Sequence, residues 1–287
     1  MRNFYIYGNP TLDYIEEADG TVYVAYGGGS YYSALPLLEK GLDVEVYAVY
    51  SPGLSAHPVS KYVNKMQYST RMNIFKLEYT GTGRRIRVLD KAPPICSWNS
   101  QGSLGYSIVN PVLGEVDASL LKTVRQKSPL LAVDLQGFLR KLAGGSVVLE
   151  YTDNAMLAIQ LADIVHADLE EFTALAGGLS IPDAVHKISK KLRGVLLVTI
   201  RPKKVMVVTK HGSKVYELED YYAASDKTGA GDYFLSVYTY TYVEKHDEEG
   251  SVFKAHEYTT AWLKTRRASL HHHRSAFHTA IPFHSSA

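Results

Sequence analysis

Short β-prone runs alternate with helical patterns along most of the chain, and this alternation constrains the fold more than any other sequence feature. Phe4 to Tyr7 reads as a first strand and Val44 to Tyr50 as another. Between them Ser30 to Lys40 places Tyr31, Leu35 and Leu38 at helical spacing behind a Gly27-Gly28-Gly29 turn. The pattern resumes with a helix near Ala118 to Gln126, a strand at Leu130 to Leu135, helical spacing from Asn154 to Ala162 and a strand at Asp163 to His166. Ser180 suits a helix cap and Pro182 a first turn, so a helix runs to Leu192, followed by a buried strand at Val195 to Ile200. Val205 to Thr209 and Lys214 to Leu218 pair as a hairpin across Lys210 to Ser213. Strands separated by helices predict an α/β fold, a mostly parallel sheet covered by helices. With 287 residues, 46% of them hydrophobic, one folding unit can bury the core this needs.

Two regions break the alternation. Thr21 to Tyr26, and the pair Arg71 to Tyr79 and Arg84 to Leu89 joined by Gly81-Thr82-Gly83, are β-rich with no intervening helix. They predict a small discontinuous β lid, from about 11–26 and 68–91, outside the main layer. The 31 basic and 29 acidic residues are interspersed, so nothing points to a nucleic-acid partner. Lys264 to Arg267, with His271-His272-His273 beyond, reads as a solvated helix end rather than a polyanion or metal site. Cys96 is the single cysteine, which rules out an intramolecular disulfide. The short apolar run at the start and the lack of a membrane-length apolar window predict a cytoplasmic protein with no membrane partner. Most of the 22 tyrosines read as packing residues with the hydroxyl at a polar edge.

The chemistry concentrates in Asp226-Lys227-Thr228-Gly229-Ala230-Gly231-Asp232, which runs into a helical pattern from Tyr233 to Val243. Gly229 and Gly231 let the backbone turn tightly, so successive amides can converge on an anion at a helix N-terminus. A carboxylate at such a site suits a general base that takes a proton from an attacking alcohol, which is the role read for Asp232. The simpler reading is a helix-start turn with Asp232 as a first-turn acid favoured by the dipole. Local physics leaves the two level.

These residues, together with others upstream, resemble the ribokinase-like (pfkB) family of carbohydrate kinases, from Phe4 to at least Leu263. The resemblance implies a three-layer sheet flanked by helices with a small β lid. It gives Gly229, Ala230 and Gly231 as the anion hole, Asp232 as catalytic base, and Thr228 with the glycines as donor contacts. Gly8 to Asp13 and Gly27 to Tyr32 stand where the family grips its acceptor: Asp13 on vicinal hydroxyls, Gly28 and Gly29 at close backbone approach, and Tyr32 where many sugar kinases carry Asn. Asp168 and Glu171 match the Asn-x-x-Glu that places magnesium and phosphates, and they also fit a helix cap with a capping-box Glu. Thr199 matches a nucleotide contact, while Arg201 and Lys204 replace two glycines of that segment and read as exposed.

Asp134, in a segment running to Arg140 that resembles archaeal-type members, falls on the ligand rim of the sheet. Asn110-Pro111 and Glu115 resemble a substrate-side stretch and equally fit a turn. The resemblance implies ATP and Mg²⁺, with K⁺ beside Asp226, and a sugar or cyclic polyol as acceptor. A nucleoside is the alternative, which Tyr14, Tyr23, Tyr26 or Tyr32 could stack. A ligand-binding member without catalysis is the third reading, and a homodimer through the lid is expected of an uncovered β edge.

Overall fold

A computed structural model describes residues 3–80, 83–97, 105–200, 203–219, 222 and 226–266, with 267–274 as helix backbone. Its main layer is an eight-stranded sheet in the order β14-β13-β12-β11-β8-β7-β1-β4. The parallel part comprises β1 (Asn3–Tyr7), β4 (Asp43–Tyr47), β7 (Tyr106–Val109), β8 (Leu131–Asp134), β11 (Ile164–Asp168) and β12 (Val195–Ile200). The antiparallel hairpin of β13 (Lys204–Thr209) and β14 (Gly212–Glu217) closes one edge, as the sequence pattern predicts. Its turn is tighter than expected, because Gly212 at φ 132° already begins the return strand.

Helices cover both faces, which explains why the central strands are apolar on both sides. On one face Leu131, Val133, Val165 and Leu196 pack against α2 (Ala118–Lys127), α4 (Asp153–Leu161), α5 (Leu169–Ala176) and α6 (Ile181–Ser189). On the other, Phe4, Ile6, Ala132 and Leu197 meet α1 (Gly29–Glu39), α7 (Ala230–Lys245) and α8 (Glu248–Arg274). Strand alternation therefore decides which polar residues reach α7. Asp134 is in step with Ala132, and His166 with Ile164, so both project toward its N-terminus.

The lid is a separate six-stranded sheet ordered β3-β2-β5-β6-β10-β9. Four strands, β2 (Thr11–Glu16), β3 (Val22–Gly27), β5 (Asn73–Thr80) and β6 (Gly83–Asp90), come from the two expected regions. A third region enlarges it: β9 (Arg140–Ala143) and β10 (Ser146–Leu149), which follow the short α3 (Gln136–Leu139), turn through Gly144 and Gly145, both at positive φ. Ile15, Phe75 and Leu77 seat the lid on Val112 and Leu113 of the main body. No described helix is long and apolar enough to cross a membrane.

Candidate active site

The Asp226–Asp232 segment folds as the tight turn its glycines allow. Asp226 Oδ1 accepts the Thr228 amide at 2.9 Å, and Gly229, at φ 81°, caps α7. Both glycines are sterically required. A Cβ on Gly229 would lie 2.2 Å from the Tyr32 ring, and one on Gly231 would lie 2.7 Å from His166 Cε1. Of the three amides expected to face an anion, that of Ala230 turns back to the Lys227 carbonyl at 3.1 Å. Gly231 and Asp232 then supply the other first-turn amides, which an α-helix leaves without internal acceptors.

Asp232 is 6% exposed, in the first turn of α7. Asn110 Nδ2 donates to its Oδ1 at 2.9 Å and to Ser33 Oγ at 2.8 Å, tying the carboxylate to the loop after β7 and to α1. Burial, with the nearby Asp134 charge, pushes the Asp232 pKa up to about 6, against the Asn110 bond and the charges of Arg140 and His166. A carboxylate with that pKa is ionised at neutral pH and more basic than an exposed one, as a proton acceptor requires. Asn110 is thus more than a turn residue. Glu115 does serve the turn, its buried carboxylate accepting the amides of Asn9, Val112 and Leu113.

Beneath the turn lies a buried polar floor at the carboxyl ends of β8, β11 and β12. Asp134 does not present its carboxylate to open space: Oδ2 pairs with His166 Nδ1 at 2.7 Å, and Oδ1 accepts the Gln136 amide at 2.8 Å. Burial opposes protonation of His166, but Asp134 outweighs it and raises the imidazole pKa. Thr199 Oγ1 lies 3.4 Å from His166 Nε2, so this expected nucleotide contact joins the floor. Asp168 and Glu171 form the capping box at the start of α5, with Asp168 N to Glu171 Oε2 at 2.8 Å and Glu171 N to Asp168 Oδ1 at 2.9 Å. Burial and the charges of Asp134 and Asp168 push the Glu171 pKa up to about 8.

Such crowded acids favour a cation, so the residues fit magnesium held at Glu171. Among the described residues no cluster of three metal-ligating side chains forms. Magnesium commonly needs only one or two carboxylates, with donor phosphates and water completing its shell. Arg140 provides the resident positive charge, interacting with Glu171, Asp232 and Asp134 while donating to the Val112 carbonyl and to Gln136 Oε1.

Asp13, expected to grip the acceptor, lies within strand β2 and is 4% exposed. Thr11 Oγ1 donates to Asp13 Oδ1 at 2.8 Å. Burial pushes its pKa up to about 6, against the Thr11 bond and the charges of Arg140 and Arg84. Gly28 and Gly29 make room for backbone: a Cβ on Gly28 would lie 2.5 Å from the Asn9 carbonyl oxygen, and one on Gly29 2.4 Å from that of Asn110. Tyr32 is buried against Gly229, its hydroxyl donating to the Tyr26 carbonyl at 3.3 Å, so its ring forms wall rather than readout. Tyr14 and Tyr26 lie partly exposed, and Tyr23 donates to Glu17.

Side chains of β5 and β6 reach the turn itself. The Tyr79 hydroxyl donates to Asp226 Oδ1 at 3.2 Å and lies 3.2 Å from Thr228 Oγ1, to which Arg84 donates at 3.1 Å. Asp226, expected beside a monovalent cation, is ion-paired with Arg266 at 2.9 Å. This also corrects the reading of 264–267 as solvated: Lys264 is exposed, but Arg266 turns inward because Tyr32, Trp262 and the turn offer it acceptors and ring faces. Lys204 pairs with Glu217 across the β13–β14 hairpin and lies half-exposed, while Arg201 and the side chains of 271–273 lie outside the described residues. Arg140, His166, Tyr79, Arg84 and Arg266 were not assigned roles from sequence. The one signal was Arg140 at the end of the Asp134 segment.

Residues 143–270 match the sequence model described as pfkB family carbohydrate kinase. No curated protein sequence matches the chain. Among solved structures, a sulfate complex of a pyrophosphate-dependent kinase in the ribokinase family is 19% identical, covering 91% of this chain and 95% of that one at TM-score 0.80. A pyrophosphate-dependent kinase of that family complexed with a pyrophosphate analog and myo-inositol is 20% identical, with coverage of 90% and 94% and TM-score 0.78. A fructokinase from Vibrio cholerae O395, in fructose, ADP and potassium ion bound form, is 14% identical, with coverage of 91% and 90% and TM-score 0.67. The family match bears out the sequence resemblance, and the structural likenesses establish the ribokinase-like fold.

Proposed function

We infer that this chain, a pfkB-family carbohydrate kinase by its sequence match and fold, transfers a terminal phosphoryl group to a hydroxyl of a sugar or cyclic polyol. The observation that carries the reading is the buried Asp232 at the end of the glycine turn, held by Asn110 in the first turn of α7. Asp13 orients the acceptor, since a buried carboxylate beside Thr11 can accept from two neighbouring hydroxyls. Asp232 takes the proton of the attacking hydroxyl as its oxygen meets phosphorus. The amides of Gly231 and Asp232, with the end of α7, face the charge that builds on the phosphoryl oxygens. Glu171 would hold magnesium, which neutralises donor phosphate charge when bound. Arg140 supports Asp232 and Glu171 electrostatically.

ATP is the donor that the resemblance implies. Pyrophosphate is the second reading: two glycines of the nucleotide segment are replaced, by Arg201 and Lys204, and two of the structural neighbours are pyrophosphate-dependent kinases. A nucleoside acceptor is less well supported, because the buried Tyr32 ring is committed to Gly229. The lid of β2, β3, β5, β6, β9 and β10 excludes water, so that phosphate passes to the acceptor rather than to solvent.

The test is Asp232→Asn, assayed with any acceptor that supports turnover. The expected fall in kcat is on the order of 10² to 10⁴, with donor binding retained. Unchanged turnover would remove Asp232 as the base.

A further inference from the structure

Beside the anion turn, a side chain already occupies the position that sequence resemblance assigns to a monovalent cation. Arg266 Nη1 donates to the Thr228 carbonyl at 2.5 Å, and its Nη2 lies 2.9 Å from Asp226 Oδ2 and donates to the Tyr32 hydroxyl at 3.1 Å. The guanidinium also lies over two rings, 5.2 Å from the Tyr32 centroid and 5.3 Å from that of Trp262. Trp262 is fixed in turn by stacking on Tyr233 at 4.7 Å, one residue beyond Asp232. The arginine side chain is 15% exposed and the Asp226 side chain 7%. A carboxylate, a carbonyl and a phenolic oxygen are hard oxygen donors of the kind a potassium ion takes, but here they converge on a planar cation.

The remaining Asp226 oxygen is also engaged. Oδ1 accepts the Thr228 amide and the Tyr79 hydroxyl. Potassium at this carboxylate would have to displace the guanidinium from its acceptors and both ring faces. The site does not fit an exchangeable monovalent ion.

We propose that Arg266 is a built-in replacement for that ion, a positioning residue whose fixed positive charge holds the Asp226–Thr228 turn in its anion-binding shape and makes the protein independent of potassium. The charge is the same, +1, but it is covalently tethered to α8 and cannot wash out. Because the same guanidinium binds Tyr32 on α1, it also couples the acceptor-side helix to the turn. The proposed kinase reaction matters only to the kinetic arm of the test; the cation-binding arm needs no substrate.

The experiment measures thermal melting of the whole chain in potassium chloride and in tetramethylammonium chloride at equal ionic strength, for the wild type and for Arg266→Ala. Wild type should melt alike in both salts, with kcat/KM changing by less than about twofold, because non-specific screening is matched. Arg266→Ala should acquire a potassium-specific rise in melting temperature, since it opens a site that binds the ion in the folded state only. Its kcat/KM should fall on the order of 10 to 10²-fold in tetramethylammonium and recover in part with potassium or free guanidinium. Arg266→Lys, which keeps a tethered charge, should remain indifferent to potassium.

Potassium-specific stabilisation or activation of the wild type would overturn the proposal, and that result requires no variant. A folded Arg266→Ala protein that neither responds to potassium nor recovers with guanidinium would overturn it as well.

Discussion

The floor of the site and its lid are both polar, yet they are built on opposite principles. The floor residues Asp134, His166, Glu171 and Asp232 are each buried, and each is held by a hydrogen bond within the protein. Lid charges, the buried Asp13 of β2 excepted, sit at the surface: Lys76 bridges Glu16 and Glu78, and Arg87 pairs with Glu78. The lid also leaves Val22, Val24 and Leu89 exposed, and its fully buried apolar anchors among the described residues are Ile15, Phe75 and Leu77, with Tyr23, Ile86 and Val88 packed beside them. Surface pairs of this sort each contribute little, whereas a buried acid without its partner is costly. The difference teaches where precision resides. On the proposed reaction the floor would fix the reacting groups, and the lid would supply the looser contacts around them.

Substitutions can break this contrast, and after loss of the Asp232 carboxylate itself the largest effect on turnover should come from Gly229→Ala. Positive φ and the Tyr32 ring both exclude a Cβ, so the turn must distort, and kcat/KM should fall on the order of 10² to 10³ while circular dichroism stays native. Next is Asn110→Ala, which removes the hydrogen bond to Asp232. Loss of a bond to a charged group costs about 1.5–3 kcal/mol, so a fall of roughly 10 to 10²-fold in kcat is expected. Normal kcat would show that Asn110 only closes a turn.

Lid residues should act more weakly and through binding. Tyr79→Phe deletes one hydroxyl bond to Asp226, worth about 1 kcal/mol, so KM should rise about fivefold with little change in kcat. A kcat loss equal to that of Asn110→Ala would erase the distinction between the two regions.

The smallest effect sharpens the floor alone. The folded pKa of Asp232 is pushed up to about 6 from an ordinary value near 3.8, so ionising it costs stability as pH rises through that window. Asp232→Asn should therefore stabilise the protein above pH 6, by about 1–3 kcal/mol, and the gain should vanish below about pH 4. Denaturant melts at pH 4 and pH 8 check it, and a gain that is equal at both would mean burial is not its source.

The same contrast governs what the sequence reveals. The strands β1, β8, β11 and β12 are legible because burial on both faces selects continuous apolar runs, and the anion turn because its geometry demands glycine. The β9–β10 hairpin escapes notice: its residues are half-exposed, no alternation marks them, and only Gly144-Gly145 hints at the turn. Arg140 and His166 owe their roles to charges from separate elements, which spacing along the chain cannot display. Arg266 misleads because its neighbour Lys264 faces solvent, and only packing against Tyr32 and Trp262 turns one member of a basic run inward. Asp168 and Glu171 satisfy their capping pattern outright, and that structural role coexists with a site in which Glu171 is buried among acids.

The central claim, phosphoryl transfer to a polyol hydroxyl, is tested most directly by phosphorus NMR of the wild-type protein with magnesium. ATP or pyrophosphate would be supplied with a panel of sugars, inositols and nucleosides. A phosphate monoester signal should grow with a sugar or cyclic polyol and match donor consumption. Donor hydrolysis to inorganic phosphate alone, or no reaction with any pair although ligands bind, would contradict that claim.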